Sequence, residues 1–230
     1  MVVRPGSNAT RPKRGIACAW NDAAAPEKVR AVRAAWYYNW GGAPSPGVAG
    51  AQFVPMAWGG KSAAFGGDHL LGFNEPDMPS QSDMTVDEAL RRWPTLAASR
   101  GRLLGSPACA RSHGWLPEFM RRSSELGLRV HFVAVHWYGG TDPDRFVRDV
   151  RAYHAAYRKP LWITEFACAV WKPGAVYEFM RRVLPALDRM EFVHRYCWKA
   201  RTVDDVHMGT SSLFGRDGKL TRLGALYRGL

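Results

Sequence analysis

Two glutamates carry the clearest chemical signal in this chain. Glu75 closes the stretch Leu70-Leu71-Gly72-Phe73-Asn74-Glu75-Pro76-Asp77, and Glu165 sits late in Lys159-Pro160-Leu161-Trp162-Ile163-Thr164-Glu165-Phe166-Ala167. Each ends a short apolar run of the kind that forms a buried strand and opens at a loop. Alone, a strand-end glutamate is commonly a helix cap or half of a surface ion pair. A facing pair without a metal or phosphate motif suits cleavage of a glycosidic bond. One carboxyl group then protonates the leaving oxygen while the other attacks the anomeric carbon.

The elements that must hold such a pair can be read from the rest of the chain. Eight short apolar or aromatic runs recur: Gly15 to Trp20, Ala35 to Trp40, Gln52 to Trp58, Leu70 to Asn74, Leu103 to Ser106, His131 to Trp137, Leu161 to Glu165 and Val193 to Trp198. Helical periodicity falls between them at Pro26 to Ala34, Val86 to Ser99, Trp115 to Leu126, Pro143 to Tyr157, Ala175 to Met190 and Leu220 to Tyr227. Alternating strands and helices predict a parallel sheet, and eight units predict a small (β/α)8 TIM-like barrel. Gly42 to Ala51 and Gly59 to His69 are too short for ordinary helical crossovers. Outer helices are therefore expected to be shortened or missing around strands 2–4. A doubly wound open sheet would need a glycine-rich phosphate turn after its first strand, and Trp20-Asn21-Asp22-Ala23 is not one.

In that frame the 90-residue interval between the two glutamates spans three units. It places them on the fourth and seventh strands at equal height, at the C-terminal rim where barrels of this kind keep their reactive groups. Leu161, Ile163 and Glu165 share one parity and are expected to point inward together. Trp20, Trp40, Trp58, Trp137 and Trp198 close five of the runs, where aromatic rings could stack on sugars. Trp36, Trp93 and Trp162 read as core.

The 230 residues divide into a disordered basic tail (1–13) and one domain (14–230). The tail has no apolar h-region, and no stretch reaches the length of a membrane span. The expected setting is extracellular, with the leader absent from this chain; a cytosolic chain would look the same. Net charge is +12, but the arginines are scattered over predicted helices (Arg91, Arg92, Arg121, Arg122, Arg148, Arg151, Arg181, Arg182) as solvated faces rather than a nucleic-acid patch. Cys18, Cys109, Cys168 and Cys197 lack zinc-ligand spacing and are expected as free buried thiols. No cofactor and no metal is expected, and the chain is expected to act as a monomer.

Leu-Gly-Phe-Asn-Glu-Pro-Asp at 71–77, Phe-Val-Pro-Met at 53–56, Gly-Ser-Pro at 105–107, Val-His-Trp-Tyr at 135–138, Trp-Ile-Thr-Glu-Phe-Ala at 162–167 and Leu-Thr-Arg-Leu-Gly at 220–224 together resemble glycoside hydrolase family 128. The resemblance runs from about Arg14 to Tyr227. It implies a retaining β-1,3-glucanase working by double displacement, with Glu75 matching the acid/base and Glu165 the nucleophile. Asn74 matches the position that binds the 2-hydroxyl of the cleaved sugar. His136 and Tyr138 are expected beside Glu165, where either could donate to it. Trp198 is expected as the platform under that sugar, with Trp58 and Asn39 as further cleft residues; Trp137 alternates away toward the helices. Endo action is expected. Exo action and a non-catalytic glucan-binding barrel are the alternatives, the last of which would be marked by loss of one glutamate.

Overall fold

The computed structural model describes residues 13–59, 66–98, 101–111, 114–199 and 201–230. Among these residues eight strands appear in chain order: β1 (Arg14–Ala17), β2 (Trp36–Tyr38), β3 (Gln52–Phe53), β4 (His69–Leu70), β5 (Leu103–Leu104), β6 (Val133–Trp137), β7 (Leu161–Phe166) and β8 (Val193–Trp198). Six of them form one parallel sheet in the order β3-β2-β1-β8-β7-β6, and β4 pairs with β5. Parallel bridges Met56↔Leu71 and Gly105↔Phe132 join the two sheets at both seams. The ring of eight parallel strands is thereby closed.

Among the described residues six α-helices surround it: α1 (Ala25–Ala31), α2 (Val86–Ala97), α3 (Trp115–Glu125), α4 (Pro143–Tyr157), α5 (Pro173–Arg189) and α6 (Arg222–Gly229). Their starts follow from local chemistry. Thr85 caps α2 by accepting from Glu88 N, and Asp142 caps α4 with Pro143 next to it. In α5, Val176, Phe179, Met180, Val183, Leu184 and Leu187 lie buried at helical spacing against the strands. As predicted, no helix separates β2 from β3, and among the described residues none separates β3 from β4. The scattered arginines do lie on solvated faces, since Arg92, Arg121, Arg122, Arg181 and Arg182 all pair with acids on the helices.

Inside the ring, the strands and the bridging residues beside them supply a packed plug that includes Trp36, Tyr38, Met56, Leu71, Phe132 and Trp162. The Trp162 ring sits 4.2 Å from Phe132 and 5.4 Å from Trp36, centre to centre. Gly15 makes room for it: a Cβ there would fall 2.3 Å from the Trp36 ring. The core role predicted for Trp36, Trp93 and Trp162 holds, all three being essentially inaccessible.

The expected parity of β7 does not hold. Trp162 faces the barrel interior, while Leu161 and Ile163 belong to the layer between strands and helices. The pairing of β6 with β7 shifts by one residue at Thr164, so that Val135 opposes Ile163 but His136 opposes Glu165. This bulge returns Glu165 to the inner side after Ile163 has pointed out.

Of the predicted 1–13 tail, residues 1–12 lie outside the described residues. The Lys13 ammonium donates to the carbonyls of Leu187, Asp188 and Met190 at the end of α5, a favourable place for a cation. All four cysteines are free and buried. Among the described residues no helix is long and apolar enough to cross a membrane.

Candidate active site

Glu75 leaves β4 through a narrow passage. Gly72 faces the backbone of the β5 extension, where a Cβ would meet the Ser106 carbonyl oxygen at 2.7 Å. Beyond it, Asn74 bridges to Ala108, and Glu75 N donates to Ala108 O at 2.7 Å. Glu75 itself adopts φ +44°, a left-handed conformation that a side chain other than glycine's takes up only when its surroundings impose it. Asp77 clamps the same loop by accepting from Ala110 N and Arg111 N. The Glu75 side chain remains 13 % exposed toward the cleft.

Glu165 is deeper and far more heavily bonded. Its Oε1 accepts from Tyr38 at 3.1 Å and from the indole N–H of Trp40 at 2.9 Å. Its Oε2 accepts from Tyr138 at 2.5 Å and lies 3.0 Å from the Lys199 ammonium. Burial pushes the carboxyl group up, but the charges of His136 and Lys199 and the hydrogen bonds from Tyr138 and Lys199 outweigh it and bring the pKa down to about 2. Burial and the neighbouring Glu165 charge push both phenols, Tyr38 and Tyr138, well above their ordinary value, so they stay protonated donors. The arrangement keeps Glu165 ionised.

His136 links the pair. Its Nδ1 is 2.8 Å from Glu75 Oε1 and its Nε2 is 3.7 Å from Glu165 Oε1, and the imidazole is buried. Of the two residues expected to donate to Glu165, Tyr138 does so; the close partner of His136 is Glu75 instead, at 2.8 Å against 3.7 Å to Glu165. Carboxylate oxygens of Glu75 and Glu165 and a ring nitrogen of His136 all lie within 4.8 Å of one another. A metal ion would find this set already engaged, since an ammonium, an indole and two phenols point their hydrogens at Glu165.

Asn74 is buried at the cleft wall; its Nδ2 donates to Gln81 Oε1 at 3.1 Å, and its Oδ1 has no protein partner. Trp58 is 39 % exposed and lines the cleft. Two expected positions are corrected. Trp198 is fully buried, its N–H bonded to Ser211 O and its ring edge-on to Phe166, so it packs under α5 and no sugar can stack on it. Asn39 is buried as well, spending its side chain on Ala43 O, Ser45 Oγ and Gly41 N; it shapes the loop after β2. Trp137 turns to the helices, as expected, against Phe146 and Phe179.

Tyr38 and Lys199 were not read as site residues, and Trp40 was read only as a rim aromatic. The alternation of Trp36, Tyr38 and Trp40 on one face of β2 was the available signal for two of them. For Lys199 it was an ammonium immediately after a buried strand. The cleft they complete measures about 950 Å³ and takes its lining from the C-terminal end of, or the segment after, every strand except β5, from Trp58, Asn74 and Gln81 across to Asp22, Lys28, Phe214 and Arg216.

Residues 15–227 match the family described as Glycosyl hydrolase catalytic core. A fission yeast protein from Schizosaccharomyces pombe, Alkali-sensitive linkage protein 1, is 31 % identical over 214 residues; these cover 84 % of this chain and 39 % of that protein, so the chain spans well under half of that relative's length. The structure of an endo-β-1,3-glucanase of family 128, subgroup I, from Amycolatopsis mediterranei with laminaritriose bound is similar at 30 % identity and TM-score 0.83, covering 94 % of this chain and 98 % of that one. An exo-β-1,3-glucanase of subgroup V from Cryptococcus neoformans is similar at 28 % identity and TM-score 0.82, covering 94 % and 98 %. With the match running nearly end to end and the barrel and paired glutamates in place, the chain belongs to the glycosyl hydrolase catalytic core family and, within it, to glycoside hydrolase family 128.

Proposed function

We propose that the chain is a retaining β-1,3-glucanase that cuts its polymer internally and acts outside the cell as a monomer. The observation that carries the reading is the unequal treatment of two carboxyl groups whose oxygens approach within 4.8 Å. Such closeness fits the roughly 5–5.5 Å of retaining pairs better than the about 6.5–9.5 Å of inverting pairs, which hold a water between them. Glu165, ionised and gripped by four donors, serves as nucleophile. Glu75, more exposed and bonded to His136, serves as acid and then as base.

In the first step a Glu165 oxygen bonds to the anomeric carbon, the glycosidic bond breaks, and the Glu75 proton passes to the departing sugar oxygen. Water then attacks the same carbon, gives its proton to Glu75 and releases Glu165. Asn74, which lines the cleft wall, contacts the sugar 2-hydroxyl, and Trp58 offers a stacking face. The β-1,3-glucan specificity is supported by one relative, the Amycolatopsis mediterranei enzyme, solved with laminaritriose, laminaripentaose and laminarihexaose. Endo action is supported by the likeness to the endo-acting enzymes of subgroups I and II. Exo relatives of similar fold make exo action the second reading.

Incubation of the protein with laminari-oligosaccharides and with long laminarin, with products resolved over time, tests the proposal. Early products of mixed length are expected. A single short product from one end would replace endo by exo action, and no released sugar at all would defeat the enzymatic reading.

A further inference from the structure

Lys199 directly follows β8, and a pair of catalytic carboxyl groups does not by itself call for a cation there. Its ammonium lies 3.0 Å from Oε2 of Glu165 with the side chain 13 % exposed. It also sits 3.8 Å from the centre of the Trp40 ring, and Trp40 in turn donates to the other oxygen of Glu165. Trp40 is held at φ +59° and packs edge-on against Tyr38, 5.1 Å between ring centres. The ammonium is thus fixed between an anion from β7 and an aromatic face from the loop after β2. The titratable or charged groups facing Glu165 are Tyr38 from β2, Glu75 after β4, His136 from β6 and Tyr138 just after it, and Cys197 and Lys199 from β8 or its end. Of these, Lys199 brings an ammonium into direct contact with it.

We propose that Lys199 is a positioning residue that sets the balance between the two halves of the reaction, restraining attack by Glu165 and speeding its release. The inference rests on the retaining reading above. When a Glu165 oxygen bonds to the anomeric carbon, the glycosidic carbon–oxygen bond breaks and the Glu75 proton leaves with the aglycone. The carboxylate charge vanishes into an ester, and its attraction to Lys199 vanishes with it. In the second half, water bonds to that carbon and gives a proton to Glu75. The bond to Glu165 breaks, and its electron pair returns to the carboxylate beside the waiting ammonium. A charge contact present in the free enzyme but absent in the ester raises the first barrier and lowers the second. Trp40 keeps the ammonium in place while the ester exists, so no reorganisation delays release.

The test uses wild type, Lys199→Met, Lys199→Gln and Lys199→Arg with 2,4-dinitrophenyl β-laminaribioside, followed by stopped flow and by intact mass of the quenched protein. Lys199→Met should show a stoichiometric burst of dinitrophenol, a steady rate lower on the order of tenfold, and a covalent laminaribiosyl adduct. The acid limb of kcat/KM should move to higher pH, and Lys199→Arg should restore most of each property. Lys199→Gln, near in length and uncharged, is run in parallel so that a misfolded Met variant leaves the test intact. Folded uncharged variants with no burst, no adduct and an unmoved acid limb overturn the proposal, as does a loss confined to KM, which would make Lys199 a sugar ligand. Wild type that releases no sugar would sink the functional reading itself, whereas active wild type with burst-free variants sinks this inference alone.

Discussion

Nδ1 of His136 lies 2.8 Å from Oε1 of Glu75, and this contact joins the exposed carboxyl group to a buried ring whose other nitrogen faces Glu165. If Glu75 is the acid/base proposed above, His136 is the residue that aims it. Replacing it with Ala should lower kcat by roughly 10²-fold, the lower end of what a positioned proton-transfer group contributes. The loss should be smaller with an aryl glycoside whose leaving group needs no proton. Rates measured on both substrates check this, and equal losses on both would separate His136 from Glu75.

Tyr138→Phe removes the 2.5 Å donor from Glu165 Oε2. The sign of its effect follows from the carboxyl group's depressed pKa of about 2. Wild-type Glu165 stays ionised to strongly acidic pH, so losing a donor should move the acid limb of kcat/KM upward, by about one unit for each tenfold loss of anion stabilisation.

The same depression links Glu165 to folding. A carboxyl group whose pKa is lower in the folded than in the unfolded state adds stability above the unfolded value, and that stability disappears as pH falls toward the folded value. The unfolding free energy of wild type relative to Glu165→Gln should shrink between about pH 5 and pH 2, the window between an ordinary glutamate pKa and about 2. Denaturant melts across that range measure it; a constant difference would mean that Glu165 is no better solvated by the folded protein than by water.

Trp162 fills the centre of the barrel against Trp36 and Phe132, and the Arg195 guanidinium lies 4.2 Å from its ring centre. Trp162→Ala should cost about 3–5 kcal/mol of stability, the range for emptying a packed aromatic site. A shift in the denaturant midpoint without a change of slope would register it.

Much of this architecture was legible in the residues. The eight apolar runs became the eight strands, and among the described residues neither short glycine-bearing connection, Gly42 to Ala51 or Gly59 to His69, holds a helix, as a crossover of that length leads one to expect. The two glutamates were legible because strand-end carboxylates at a three-unit interval must share a rim. The parity of β7 was not, because a bulge at Thr164 depends on how β6 and β8 pair with it, and a single strand's alternation carries no trace of that. The same limit misplaced Trp198. At the end of β8 it could have turned to the cleft or to α5, and Ser211 and Phe166 hold it under α5. Asn39 was misread because Ser45 and Ala43, which satisfy its amide, come from a loop with no periodic pattern. Tyr38, Trp40 and Lys199 come together only when β2 and β8 close around Glu165.

The central claim is that Glu165, and not Glu75, becomes bonded to the sugar. A 2-deoxy-2-fluoro laminaribiosyl fluoride would slow release enough to trap the ester, and mass spectrometry of the digested protein would locate it. The account predicts a single adduct on the peptide containing Glu165, lost in Glu165→Gln. An adduct on Glu75, or no adduct together with hydrolysis that first yields the inverted α-anomer, would contradict it.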